Sequence, residues 1–185
     1  MSRWALAAGL AACGAIITPS VAGASASAKL MALDGSAAGS ANFRSTPHGV
    51  LVEISAHGLT PGPHAVLIHA KAACEAKTGF ASAGPVFSLD TARAHGFFAK
   101  AGPRTGDLPV QFAAADGTLH ASVFSTAFSL GDGVKSLFDH DGAALIIHAE
   151  SDDYLSQPEG RAGARLICGS ILRSSGPKDK KRRHS

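Results

Sequence analysis

Seven short runs of alternating or fully apolar residues, each cut off by a turn signal, constrain this 185-residue chain more than any other feature. The runs are Leu30–Leu33, Val50–Ala56, Ala65–Ala70, Val110–Ala114, Leu119–Val123, Ala143–His148 and Ala164–Ile167. Between them stand Leu59–Pro63, Ala115–Thr118, Gly131–Gly133 and Asp139–Gly142, rich in the Gly, Pro and Asp that turns require. No stretch carries a long 3.6-residue period, so helices are not expected to build the core. Short strands joined by tight turns argue for an antiparallel sandwich or barrel. The length suits one such domain. A hydrophobic content of 45% excludes a charge-driven disordered chain. Residues 71–109 show no strand pattern, and a connection that long is commonly functional.

The two ends read differently from the body. Arg3, the apolar run Trp4–Ile17 and the small residues Ala22–Ala26 form an export-signal pattern, with cleavage expected after Ala24 or Ala26. The run is too short for a permanent membrane span. Leu10–Gly14 also has the shape of a lipoprotein box, which would anchor the chain through Cys13. The expected organisation is a signal peptide over 1–26, one domain over 27–173 and a disordered basic tail over 174–185. Localisation is expected to be periplasmic or secreted. The tail's Lys178, Lys180, Lys181, Arg182 and Arg183 face only Asp179. Without that net of four charges the chain falls from +3 to −1, and without Arg3 it falls to −2. A mildly acidic body argues against specific nucleic-acid recognition. The tail serves either solubility or attachment to an anionic surface. Cys74 and Cys168 remain after export, and an oxidising compartment permits a disulfide between them. Two buried free thiols are the alternative.

Several segments, in order, carry a family resemblance. They are Thr46–Val52, Gly58–His64, Ile68-His69 with Cys74, Phe80–Pro85, His95-Gly96 and Gly106–Pro109. Leu130–Gly133, Asp141–His148, Asp152–Tyr154 and Gly163–Gly169 complete the set. Together they resemble the bacterial periplasmic copper/zinc superoxide dismutases over nearly the whole mature chain. The resemblance implies an all-β, eight-stranded Greek-key β-barrel with long loops. It also implies a Cys74–Cys168 disulfide, bound copper and zinc, and superoxide as substrate.

The resemblance also implies a ligand set, which this chain keeps only in part. His69 and His148 match copper ligands, His95 and Asp107 match zinc ligands, and Asp152 matches the aspartate that links the two sites. Arg165 matches the arginine that steers superoxide. Leu67 stands at the first copper position, Val86 at the bridging histidine and Arg104 at a zinc histidine. Imidazoles suit copper in both oxidation states, and zinc favours a closed tetrahedral set. Two ligands of four at each metal do not complete either. Arg104, a permanent cation, is expected to pair with Asp107 and replace zinc electrostatically, and His95 with Asp107 reads as a hydrogen-bonded loop clip more than as a zinc site. His57, His64, His120 and His140 are the candidates for a recruited copper ligand, His64 being matched to a structural histidine. Two function classes follow: a degenerate, weakly active or inactive member, or an active superoxide dismutase with a non-standard copper site.

Overall fold

A computed structural model of the chain describes residues 23–139 and 141–174, all of them strand, turn or irregular structure apart from two single turns of 3-10 helix. The signal-peptide pattern up to residue 22, Cys13, His140 and the basic tail from residue 175 lie outside the described residues.

Ten strands form, β1 (Ser25–Ala32), β2 (Ala37–Thr46), β3 (Gly49–Ala56), β4 (Gly62–His64), β5 (Val66–His69), β6 (Gln111–Ala113), β7 (Leu119–Ser125), β8 (Ala144–His148), β9 (Arg165–Ser170) and β10 (Leu172–Arg173). An eight-stranded antiparallel sheet runs β5-β8-β9-β1-β2-β3-β7, with β10 added on β1. A two-stranded β4–β6 ribbon lies beyond its ends, since β4 continues through Ala65 into β5. The sheet curls around one core that takes Leu30, Phe43, Val52, Ile54, Leu119, Leu145, Ile147 and Ile167 from its inner face.

The strand β2 is absent from the pattern that the sequence offers. Its buried residues are Ala38, Ala41 and Phe43, separated by Gly, Ser, Asn and Arg. Small side chains give little strand preference, and tertiary pairing decides instead. Eight residue pairs from Gly39↔Ala56 to Thr46↔Gly49 tie β2 to β3. The close approach is visible at Gly39, where a Cβ would overlap the Ser55 carbonyl.

The strands β5 and β8 are buried along their whole lengths, because both of their faces are covered. Val66, Ile68, Leu145 and Ile147 face the barrel core. Two-residue alternation sends Leu67, His69, Ala144, Ile146 and His148 to the outer face. The 71–109 segment folds over that face, and Phe80 and Ala83 pack there on Ala144, Ile146 and Cys168.

A disulfide between Cys74 and Cys168, with Cα atoms 5.6 Å apart, fixes this cover to β9. It closes a loop with a sequence separation of 94. On the chain-entropy model such a loop is worth about 4–5 kcal/mol. Reduction, or a Cys74→Ser and Cys168→Ser pair, is therefore expected to lower unfolding free energy by about that amount. Urea unfolding with and without reductant measures it, and a loss below about 1 kcal/mol would show that the loop is held by other contacts.

Candidate functional site

The outer face of β5, β8 and β9 gathers the candidate site residues under the long loop. His69 ends β5, His148 ends β8 and Arg165 opens β9. A register shift at Ile147/His148 sets His148 opposite Arg165, re-aiming the strand end as a bulge does. His69 also makes an isolated bridge with Val86, which brings the loop across the end of β5.

Two polar clusters result. In the first, His69 and His148 are both wholly buried, and their Nε2 atoms stand 3.4 Å apart. His69 Nδ1 donates to the Gly84 carbonyl at 2.8 Å, and His148 Nδ1 faces the Gly163 carbonyl at 3.4 Å. Burial, with the nearby Arg165 charge, pushes the His69 imidazole down to about 3, so it is neutral at physiological pH. Burial also pushes His148 down, the Glu159 carboxylate opposing it. Glu159 completes a group of three potential ligands with these histidines, all ligand atoms lying within 4.8 Å of one another. The same carboxylate accepts a hydrogen bond from the Arg165 guanidinium at 2.6 Å. The other Arg165 nitrogen donates to the Phe80 carbonyl at 3.0 Å, tying the loop to β9.

The second cluster centres on His95. Its Nδ1 donates to Asp107 Oδ1 at 2.7 Å and its Nε2 donates to Asp152 Oδ1 at 3.0 Å. All three side chains are enclosed. Burial alone would lower the imidazole, but hydrogen bonds to both aspartates, and then their charges, raise it to about 9. His95 is thus an imidazolium held between two carboxylates. Asp107 Oδ2 is filled by the backbone N–H groups of Gly96 at 2.7 Å and Arg104 at 2.9 Å.

This arrangement corrects the expected Arg104–Asp107 ion pair. The Arg104 guanidinium reaches the carbonyls of Arg93 and Pro158 instead, at 3.1 and 3.4 Å. Asp107 is already served by the His95 ring and by two backbone donors. The cation that stands by Asp107 is His95.

Among the described residues, the recruits His57, His64 and His120 do not join His69 and His148 in a group of potential metal ligands. His64 lies between the His148 and Thr60 carbonyls, at 2.7 and 2.8 Å, as a structural clip. His57 follows β3 at the surface, and His120 is exposed on β7, at the far end of the sheet order from β5. Glu159 is the group that sequence reasoning missed. No strand pattern contains it, and its signal was only a carboxylate six residues before Arg165 in a ligand set short of members.

A metal pair of the family's type does not fit these residues. Of the zinc set that the resemblance implies, only His95 and Asp107 are present, and they are bonded to each other. Leu67 and Val86 are buried carbon side chains at the first copper and bridging positions. Asp152 Oδ2 is buried without a hydrogen-bond partner. Among the described residues, His69, His148 and Glu159 form the one group of three potential metal ligands.

Gly160 sits against the second cluster with φ +64, and a Cβ there would overlap Asp152 Oδ1 and lie 2.8 Å from His95 Nε2. Gly160→Ala is expected to cost about 2–3 kcal/mol by strain and by displacement of Asp152. Thermal and urea unfolding read this, and a cost under about 0.5 kcal/mol would mean that the cluster relaxes freely.

Comparison with known proteins places these features. The family model for copper/zinc superoxide dismutase matches residues 37–171. A copper/zinc superoxide dismutase of Caulobacter vibrioides is 42% identical over 149 residues, covering 80% of this chain and 85% of the relative. One from Aquifex aeolicus is 37% identical over 148 residues, covering 79% and 85%. Among solved structures, a double mutant of a superoxide dismutase-like protein from Bacillus subtilis superposes with a TM-score of 0.74 at 36% identity, covering 79% of this chain and 96% of that one.

Proposed function

The chain belongs to the copper/zinc superoxide dismutase family, and from that premise we propose that it is an exported, degenerate member with weak or no dismutase activity. The observation that carries this reading is the pair of carbon side chains Leu67 and Val86, both buried where the resemblance places metal ligands. A protonated imidazole takes over the charge-balancing work of a divalent ion between Asp107 and Asp152. The loop is held down without metal.

The superoxide side is altered too. Attraction of a small anion requires an unpaired cation beside the reacting centre. Here Glu159 neutralises Arg165 at 2.6 Å, in a half-buried pair. The conserved-type arginine then serves as a strut between Glu159 and the Phe80 carbonyl.

Export follows from the residue 1–26 pattern. The strand β1 begins at Ser25, and Ala26 is buried in the core, so cleavage after Ala24 leaves the first strand whole. The Lys178–Arg183 run carries five positive charges suited to an anionic surface. A second reading, an active enzyme with a non-standard copper site, is favoured by the His69–His148–Glu159 group.

Zinc titration of the metal-free protein tests the leading reading. No tight stoichiometric zinc is expected at the His95–Asp107 locus, and the His95 ring protons should keep their two hydrogen bonds in the NMR spectrum. Displacement of those protons by one equivalent of zinc would overturn it.

A further inference from the structure

We propose that the end of the barrel where β1 begins and β7 and β10 finish is a docking face for an anionic bilayer, with Phe124, Val134 and Leu172 as its apolar contacts and the Lys178–Arg183 run as its electrostatic hold. The inference rests on the anionic-surface reading of that run and adds the face that the run brings down.

Strand register sets Phe124 and Leu172 at one end. Ser25 at the start of β1 pairs with Arg44, Arg44 pairs with Leu51, and Leu51 pairs with Phe124 near the end of β7. Arg173 at the end of β10 pairs with Ala26, and Leu172 pairs with Ser27. The loop after β7 joins these two strand ends. Lys135 Nζ donates to the Thr126 carbonyl at 3.3 Å, which holds the loop to the end of β7. The Arg173 guanidinium donates to the Leu130 carbonyl at 3.2 Å and to Asp132 at 2.6 Å, which holds the same loop to β10. Val134 stands in sequence between these two attachments and is 86% exposed. Phe124 is 52% exposed and Leu172 is 63% exposed. A single exposed apolar residue is ordinary, whereas several at one end of a barrel mark an interaction surface.

The charge of the chain points the same end at the same partner. The Ser174 N–H donates to the Ser25 carbonyl at 2.9 Å, so the chain enters β1 and leaves β10 side by side. Lys178 comes four residues after Ser174, which keeps it within about 14 Å of that strand end. The five cations of the run face only Asp179, and Asp132 at this end is already paired with Arg173. Carboxylates stand at the other end, where Asp34 follows β1 and Asp116 precedes β7. A body with this polarity turns its cationic end toward anionic lipid. The apolar side chains there then enter the boundary between headgroups and acyl chains, as those of interfacial proteins do.

The chain from Ser25, which contains all ten strands, is the protein to test. Co-sedimentation compares vesicles of one part phosphatidylglycerol to two parts phosphatidylcholine with vesicles of phosphatidylcholine alone. Binding to the mixed vesicles should be at least about tenfold tighter and should fall as salt rises. Lys178→Gln, Lys180→Gln, Lys181→Gln, Arg182→Gln and Arg183→Gln together should weaken it at least about a hundredfold. Val134→Ser with Leu172→Ser should weaken it at least about fivefold with the run intact. Phe112→Ser removes a ring that is 70% exposed on β6, toward the Asp116 turn, and should change nothing. Equal binding to both kinds of vesicle, unchanged binding in the five-fold Gln variant or tighter binding to duplex DNA than to the mixed vesicles would overturn the proposal together with the reading of the run. A loss in the Gln variant with none in Val134→Ser and Leu172→Ser, or an equal loss in Phe112→Ser, would overturn the face and leave the reading of the run standing.

Discussion

His95→Ala is expected to lower the unfolding free energy by about 3–5 kcal/mol, the usual result of removing one member from a buried charged cluster. The substitution leaves Asp107 and Asp152 enclosed at about 5% exposure with no cation between them. Backbone donors from Gly96 and Arg104 still serve Asp107, and the Tyr154 N–H still serves Asp152 Oδ1 at 2.7 Å, so the aspartates stay in place. The same cluster gives the protein a pH signature. His95 titrates near 6.5 when unfolded and at about 9 when folded. A raised folded value means that the unfolded chain loses its proton first as pH rises. Stability from this residue is therefore complete below about pH 6.5 and disappears as pH climbs through about 9. The full swing is on the order of 3 kcal/mol. Urea unfolding at intervals from pH 6 to pH 10 measures it, with His95→Ala expected to lose the slope across that window. A flat profile in the parent protein, or a cost below about 1 kcal/mol in the variant, would show that His95 is neutral and only packed.

The second large effect is a gain. Leu67→His, Val86→His and Arg104→His together complete both ligand sets that the family resemblance implies. Val86→His and Arg104→His would join His95 and Asp107 around zinc. Leu67→His would supply a ring N–H toward Asp152 Oδ2, the buried oxygen with no partner. The surrounding scaffold is intact in the parent: the disulfide, the Gly84 and Gly163 carbonyls and the linking aspartate are all placed. Zinc binding is expected to tighten by at least about a thousandfold over the parent, since ligand completion is what converts a polar cluster into a metal site. Zinc must displace a proton from His95, so calorimetry in buffers of different ionisation enthalpy should show about one proton released at pH 7. No gain in affinity would mean that the loop, and not its ligand residues, has lost the site.

Much of this was legible in the residues. The alternation in Val50–Ala56 and Leu119–Val123 gave β3 and β7, which pair over seven residues. The apolar runs Ala65–Ala70 and Ala143–His148 gave β5 and β8, and continuous burial on both faces explains why they read as runs and not as alternation. His69, His95, Asp107, His148 and Asp152, singled out through the resemblance, are all buried in the structure. Partnerships followed in part. The His95–Asp107 clip is present, but Arg104, which a charge argument joins to Asp107, reaches backbone carbonyls, and Asp152 takes the other His95 nitrogen. The strand β2 and the ligand group Glu159 were invisible for related reasons. One depends on pairing between small residues, the other on a loop that tertiary contacts carry to a distant strand end.

The most direct test is the dismutase rate of the mature chain after loading with copper and zinc, with His148→Ala measured beside it. Superoxide dismutases are themselves a standard example of enzymes that approach the diffusional ceiling of about 10⁸–10⁹ M⁻¹s⁻¹. The dismantled zinc locus and the neutralised Arg165 predict a rate at least about a hundredfold lower, scarcely changed in His148→Ala. A rate near the ceiling that collapses in His148→Ala would contradict the degenerate reading and establish a working copper centre built without the histidines lost at Leu67, Val86 and Arg104.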